Sequence, residues 1–395
     1  MMLDRARALH DEMIRLRRDI HAHPELSFQE TRTAALVADT LQEIGGIRVR
    51  TGVGKTGVVG EIGDEGGPTI AIRADMDALP IIEANAADYI STNPGKMHAC
   101  GHDAHTAMLL GAAHLLRERF AAEGLRGRVR LLFQPSEEAW DAEGKSGAPR
   151  MIDDGAMKDV DAVIALHVDS GSPVGTVSVG GGYRSAAVDT FRGFITATGG
   201  HGAYPHMGTD PTFMLIPVLT ALHGIRARRL HPMEPGVISV GIVRGGSAPN
   251  IIPAEVYLEG TIRTFGEDVR AQIADELEKA FAVARAFGGD YRLEIDRGYP
   301  AGWNDERVAG WLGRVAEDLL GAGANDPDKK GMAGEDFAYM CQAAPGAMIG
   351  LGAGLMDGVN RGHHTPFFDI DEGCLPIGSA ILAETALRFL KGEVR

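Results

Sequence analysis

Cysteine is scarce in this chain of 395 residues, which carries only Cys100, Cys341 and Cys374. So few thiols at irregular spacing cannot form a disulfide framework, so a reducing compartment is expected and at least one thiol needs another explanation. Basic residues are also in deficit, with 39 Lys and Arg against 54 Asp and Glu and a formal net charge of -15. Binding to a phosphate backbone is driven by clustered cations, so no nucleic-acid partner is expected. No uninterrupted apolar run reaches the roughly 18 residues of a membrane span, and no membrane partner is expected. The opening stretch MMLDRARALHDEMIRLRRDIHAHPE mixes both charge signs without an apolar segment, unlike a signal peptide, which leaves a cytoplasmic location as the default. Gly-rich pieces such as GTVSVGGGY do not open a helix as G-x-G-x-x-G, so a dinucleotide cofactor is not expected. Internal repeats, low-complexity tracts and long linkers are missing too.

What is present is ordinary globular material, 44% hydrophobic and 24% charged, long enough for two or three domains. Apolar periodicity predicts helices over 4–20, about 30–43 and 104–119, and strands at VGKTGVVGEIG, PTIAIRADMD, 127–138 and 161–168. MIDDGAM reads as a short helix stopped by glycine. This alternation predicts an α/β layer fold, with polar residues gathering at strand ends where open sheets place their sites. Between about 185 and 295 the pattern changes to strictly alternating strands (DTFRGFITATG, GVISVGIVRGG, AEVYLEGTIRTF) and two helices, in βαββαβ order. Residues 300–395 return to the first texture, so the middle part reads as an insertion.

Four groups of residues carry chemistry. Met97-His98-Ala99-Cys100-Gly101-His102-Asp103-Ala104-His105 packs three histidines, a thiol and a carboxylate into nine residues. A Cys-x-His pair just ahead of a helix offers a thiolate and an imidazole, both suited to zinc and similar ions. Glu137-Glu138 follows the strand VRLLF; near a metal, one carboxylate can ligate while the other accepts a proton, whereas alone the pair would be two exposed acids. His167 ends the apolar strand DAVIALHV and would by itself be a satisfied core residue. His363-His364, before Thr365-Pro366, would alone be a polar turn. Each group nevertheless falls at a strand end or adjoining loop of the α/β part, and together they supply enough ligands for two metals.

The segments HAHPELSFQE (21–30), AIRADMDALPI (71–81), MHACGHDAHTAMLLGAA (97–113), LLFQPSEE (131–138), ALHV (165–168), GGHGAYPH (199–206), APNIIP (248–253), GTIRTF (260–265), GEDFAYM (334–340) and HHTPFFDIDE (363–372) run nearly end to end. In them the chain resembles the M20 family of metallopeptidases and amidohydrolases, in particular its aminoacylase-like and auxin-conjugate hydrolase subgroup. The resemblance implies a zinc-peptidase-like α/β/α catalytic domain over 1–184 and 298–395, with an inserted α+β, ferredoxin-like lid and dimerisation domain over 185–297. It implies two divalent metal ions (Zn, Mn, Co or Ni) held by Cys100, the bridging thiolate, with His102, Glu138, His167 and His364. Glu137 would be the general base and His201 a donor to the oxyanion, in its own or a partner subunit's site. Asn250 and Arg263 would contact the substrate carboxylate or the tetrahedral intermediate. The activity implied is hydrolysis of an N-acyl or N-aroyl amino acid or a short peptide by a homodimer or homotetramer. A dipeptidase or carboxypeptidase on the same scaffold, or a non-catalytic metal-dependent binding protein, are the alternatives.

Asp75 and Asp77 occupy the place where other branches carry a metal-binding histidine and an orienting aspartate, so Asp77 is expected at most to support a ligand from behind. His21, His23, His98, His105 and His206 are read as structural or supporting, and Cys341 and Cys374 as core thiols. The run Ala139-Trp140-Asp141-Ala142-Glu143-Gly144-Lys145-Ser146-Gly147 replaces a glycine-rich stretch common among relatives, and a different substrate pocket is expected there.

Overall fold

The computed structural model describes residues 2–64 and 66–394. The chain divides into two compact units, one of residues 1–182, 303–329 and 336–395 and the other of 183–302 and 330–335.

The first unit is built on a seven-stranded sheet in the order Arg48–Val53, Gly57–Gly63, Arg128–Gln134, Thr69–Asp75, Ala162–Pro173, Gly346–Gly354, Val177–Ser178. The four strands from Arg128–Gln134 to Gly346–Gly354 run parallel to one another, and the flanking strands are antiparallel. Thr69–Asp75 and Arg128–Gln134 are buried at every position. That is why they read as continuous rather than alternating apolar runs: helices cover both faces of a parallel sheet. Alternate residues feed two separate cores. Ile70, Ile72, Leu131, Phe133, Ile164 and Leu166 point to the side of helices His102–Glu123 and Leu375–Lys391, while Ala71, Leu132, Val163 and Ala165 join Met151 and Phe337 on the other. The result is an α/β/α sandwich. Glu372–Lys391, the one helix among the described residues long and apolar enough to cross a bilayer, is mostly buried in this core.

Two local readings change. The helix expected over 4–20 is two helices, Met2–Ala8 and His10–Ala22, because the Leu9 amide turns back to Ala6 O and ends the first of them. The short helix runs over Gly147–Asp153 and starts before MIDDGAM, where tertiary bonds from Ala148 N–H to Asp336 and from Gly147 N–H to Ser136 O seed its first turn.

The second unit has a four-stranded antiparallel sheet in the order Gly236–Gly245, Glu255–Thr264, Ala187–Thr196, Asp290–Arg297. With helices Pro211–Arg228 and Glu267–Ala282 between the strands in sequence, this is a ferredoxin-like arrangement. Ala187–Thr196 alternates buried and half-buried throughout, as a sheet with one covered face requires. Phe191, Ile195, Met214, Leu222, Leu258 and Phe281 form its own core.

Candidate metal centre

Most of the chemistry-bearing residues of the first unit lie at or beyond the C-terminal ends of its parallel strands, where an open α/β sheet leaves a crevice. Asp75 ends the strand Thr69–Asp75 and Asp77 follows it, Glu137 and Glu138 follow Arg128–Gln134, and the loop with His363 and His364 follows Gly346–Gly354. His167 is not at a strand end as its sequence suggests, since the strand continues to Pro173. Cys100 enters through Gly101, whose φ of 94° starts the helix at His102. A Cβ on Gly101 would stand 2.2 Å from Val168 Cγ2, so only glycine allows this approach.

These positions bring five of the expected residues together. The donor atoms of Cys100, His102 and His167 lie within 4.8 Å of one another, and so do those of Cys100, Glu138 and His364. Cys100, 9% exposed, is common to both groups. Glu137, 6% exposed, groups with His102 and Glu138 and accepts the Asp336 N–H at 3.4 Å.

Hydrogen bonds decide which ring nitrogens are available. His102 Nδ1 lies 2.9 Å from Asp77 O and 3.2 Å from Asp77 Oδ1, while its buried Nε2 has no hydrogen-bond partner. His167 Nδ1 donates to Val168 O at 2.8 Å, which leaves Nε2 facing Cys100 Sγ at 3.5 Å. Both imidazoles are thus held from behind with Nε2 turned inward, the usual preparation of a metal ligand. His105 is different. Its Nε2 accepts from Val168 N–H and its Nδ1 meets Asp75 Oδ1, so both nitrogens are used and it supports rather than ligates. Asp75 is saturated too, by His105 and the buried Arg73.

The electrostatics favour a cation. His364 Nε2 is 3.0 Å from Glu138 Oε1, and hydrogen bonds to Cys100 and Glu138 raise its pKa to about 10. Burial pulls His102 down, but Asp75, Asp77 and Cys100 outweigh it and hold its pKa well above the ordinary value. Where burial is not so opposed the imidazoles stay neutral: it takes His105 down to about 4 and His363 to about 3. A soft sulfur donor, imidazole nitrogens turned inward and a carboxylate, in surroundings that draw positive charge, fit a pair of divalent ions.

The second unit carries the other three expected residues. His201 and Asn250 are neighbours around the short ladder of Gly200–His201 with Ile251–Ile252, where Gly202 N–H donates to Asn250 O at 2.8 Å, and both are exposed. Arg263 lies on Glu255–Thr264 and donates to Ile262 O at 3.0 Å. Of the supporting histidines, His21 is fully buried between Asp103 and Glu83, and both ring nitrogens of His98 are buried without a hydrogen bond. Cys374 is fully buried and Cys341 only partly. The run Ala139–Gly147 wraps around Asp141, which accepts from Glu143 and Lys145 amides and pairs with Lys55 and Arg150. Its charges are compensated by residues outside the run, Lys55, Arg150 and Asp153, and Trp140 is 45% exposed.

The sequence marks the pair His363-His364 and only His364 is expected as a ligand, yet His363 Nδ1 is 3.7 Å from Cys100 Sγ; Arg17, whose buried guanidinium holds Asp103 and Asp369, is passed over. The doubled histidine was a signal for the first; nothing in the sequence marks Arg17 among so many arginines.

Comparison with known proteins identifies the family. The profile of the Peptidase family M20/M25/M40 matches residues 71–388. An N-acetyl-L-cysteine deacetylase of Bacillus subtilis (strain 168) is 42% identical over 387 residues, covering 97% of this chain and 89% of that protein. The IAA-amino acid hydrolase ILR1-like 2 of Arabidopsis thaliana is 37% identical over 386 residues, covering 96% and 86%. Among solved structures, the Bacillus subtilis YXEP protein, a dinuclear metal binding peptidase from the M20 family, superposes with a TM-score of 0.83 at 33% identity over 98% of this chain and 99% of that one. This chain belongs to the peptidase family M20/M25/M40.

Proposed function

We propose that this chain is a metal-dependent amidohydrolase that cuts the amide bond of an N-acyl or N-aroyl amino acid, or a related small amide, into a carboxylate and an amine. The observation that carries this reading is that Cys100 joins two groups of three donors, one with His102 and His167 and one with Glu138 and His364, and that Glu137 lies beside them, grouped with His102 and Glu138. Cys100, His102 and His167 would hold one ion, and Cys100, Glu138 and His364 the other, with Zn, Mn, Co or Ni compatible by donor type. Such a pair, when bound, polarises the amide carbonyl and eases deprotonation of water at neutral pH. Glu137 takes the proton as the water oxygen attacks the carbonyl carbon, and returns it to the nitrogen as the C–N bond breaks. Its backbone is held on Asp77 and its carboxylate on the Asp336 N–H, so it needs little reorganisation to do so. His201 is assigned as oxyanion donor, and Asn250 and Arg263 as contacts for the substrate carboxylate or the tetrahedral intermediate, Arg263 through paired hydrogen bonds.

A homodimer or homotetramer assembled through the second unit is part of the same reading. The outer strand Gly236–Gly245 is unpaired on one side among the described residues and exposes Val237 and Val243, an edge that invites pairing. Three free cysteines suit the reducing cytoplasm.

The test is a panel of N-acetyl, N-benzoyl and indoleacetyl amino acids and a few dipeptides, assayed with added Zn²⁺, Mn²⁺, Co²⁺ or Ni²⁺ and after chelation. Turnover of at least one N-acyl substrate that chelation abolishes and metal restores is expected. A protein loaded with two ions that cleaves none of them sinks the proposal, and cleavage restricted to substrates with a free α-amino group moves it to a dipeptidase.

A further inference from the structure

We propose that Glu30 is a positioning residue for Glu137, holding the left-handed turn at Ser136 from which the base is aimed; this rests on the amidohydrolase reading above. Glu30 immediately precedes the helix Thr31–Ile44, where an acidic side chain would ordinarily cap its own helix, yet it makes no cap bond. That work is done by Glu25, which accepts from the amides of Arg32 and Thr33 and from the Thr31 hydroxyl. Glu30 is 0% exposed and turned elsewhere. Its Oε1 accepts from Phe28 N–H at 2.9 Å and from Ser136 N–H at 2.8 Å, and its Oε2 accepts from the Thr56 hydroxyl.

Both amide partners are strained. Phe28 has φ 59° and Ser136 φ 46°, two of the six positive-φ non-glycine residues among those described. L-residues stay in that region only where the surroundings impose it. Ser136 is the residue through which the strand Arg128–Gln134, after Pro135, turns to present Glu137. Three consecutive amides then rest on two buried carboxylates: Ser136 on Glu30, and Glu137 and Glu138 on the two oxygens of Asp77, each at 3.0 Å. Asp77 holds the pair; Glu30 sets the direction from which the chain enters it. A buried carboxylate costs desolvation, and this one is spent on two backbone amides and a hydroxyl rather than on capping its own helix. Burial and the nearby Asp77 raise it to about 7, so an isosteric glutamine stands in for its protonated form, keeping the acceptor for both amides and offering an N–H to Thr56.

The experiment compares Glu30→Met, which fills the volume without accepting a hydrogen bond, with Glu30→Gln, Ser136→Gly and Glu30→Met/Ser136→Gly. Measured are kcat and KM on the best N-acyl substrate, metal content, and hydrogen exchange of the peptide spanning Ser136–Glu138. By analogy with outer partners of other metal sites, Glu30→Met is expected to lower kcat by about 10–100-fold with KM and metal content near wild type. Glu30→Gln should stay within about threefold of wild type, and Ser136→Gly should restore part of the loss, since glycine takes a positive φ without help. Exchange at 136–138 should quicken in the two variants that carry Glu30→Met and not in Glu30→Gln. A methionine variant with wild-type kcat, or a loss that Ser136→Gly leaves untouched, overturns the proposal. If the wild type hydrolyses nothing, the function fails separately, and unchanged exchange in Glu30→Met still overturns the role of Glu30. Glu30→Leu, which likewise fills volume without accepting a hydrogen bond, replaces the methionine variant if that one does not fold, and is read in the same way.

Discussion

Glu137 and Glu138 are the same side chain in adjacent positions, and their neighbours separate them. Glu138 reaches His364 at 3.0 Å and shares a donor group with Cys100, whereas Glu137 meets a backbone N–H. Glu137→Gln is therefore expected to cut kcat by about 10²–10⁴-fold, the usual worth of a general base, with metal content by mass spectrometry unchanged. Glu138→Ala should lose metal as well as rate. Equal metal loss in both variants would remove the distinction. Glu30 gives a pH prediction. Its carboxyl is raised from 4.5 to about 7, so between these values the native state holds a proton that the unfolded chain has released. The resulting stability is complete below about 4.5 and is lost as pH rises through about 7, a change on the order of 3 kcal/mol. Glu30→Gln does not titrate, so its urea midpoint relative to wild type should rise from pH 5 to pH 8. A difference that is flat with pH contradicts this.

Among the elements, the helix His102–Glu123 carries most of the burden. It starts on a glycine with no side-chain cap, and Asp103 in its first turn faces Arg17 and His21 instead of serving the helix alone. Gly101→Ala brings a Cβ to 2.2 Å from Val168 Cγ2 at a positive φ. It should destabilise the fold by roughly 2–5 kcal/mol and, lying between Cys100 and His102, lower the metal stoichiometry of what remains folded. Full metal content in a folded Gly101→Ala would show that the approach is not required. Arg17, 0% exposed, ties helix His10–Ala22 to Asp103, Asp369 and Glu372. Arg17→Met leaves Asp103 buried without that partner and is expected to cost about 3–5 kcal/mol in urea unfolding. A loss under 1 kcal/mol, on the order of a surface pair, would mean the network is redundant.

At the scale of the molecule, each unit has its own hydrophobic core, and every proposed metal ligand belongs to the first. Metal that binds only the native state stabilises what holds it, by about 2.7 kcal/mol at a hundredfold excess over Kd. Chelation should thus lower the calorimetric transition of the unit containing Cys100 and leave that of residues 183–302 in place. A shift of both, or of neither, would count against a metal centre confined to the first unit.

Much of this was legible along the chain because it is local. The buried parallel strands announce themselves as apolar runs such as TIAIRAD and RVRLLFQ, and the second unit announces itself by strict alternation, because burial on two faces or one leaves different periodicities. Met-His-Ala-Cys-Gly-His-Asp and the Glu-Glu step stand out for the same reason: unusual residue types lie close in sequence. The break at Leu9 was not legible, since neither glycine nor proline marks it. Residue identity also cannot say which imidazole nitrogen is free. His102, His105 and His167 look alike in sequence, and only the bonds to Asp77, Asp75 and Val168 separate ligand from support. Glu30 and Ser136 lie 106 positions apart, so their joint control of the turn before Glu137 exists only in the folded chain. The sequence determined the inventory of candidate ligands and the two folding patterns, which depend on residue type and short-range period. The tertiary structure decided protonation, aim and strain, which depend on partners that sequence distance does not reveal.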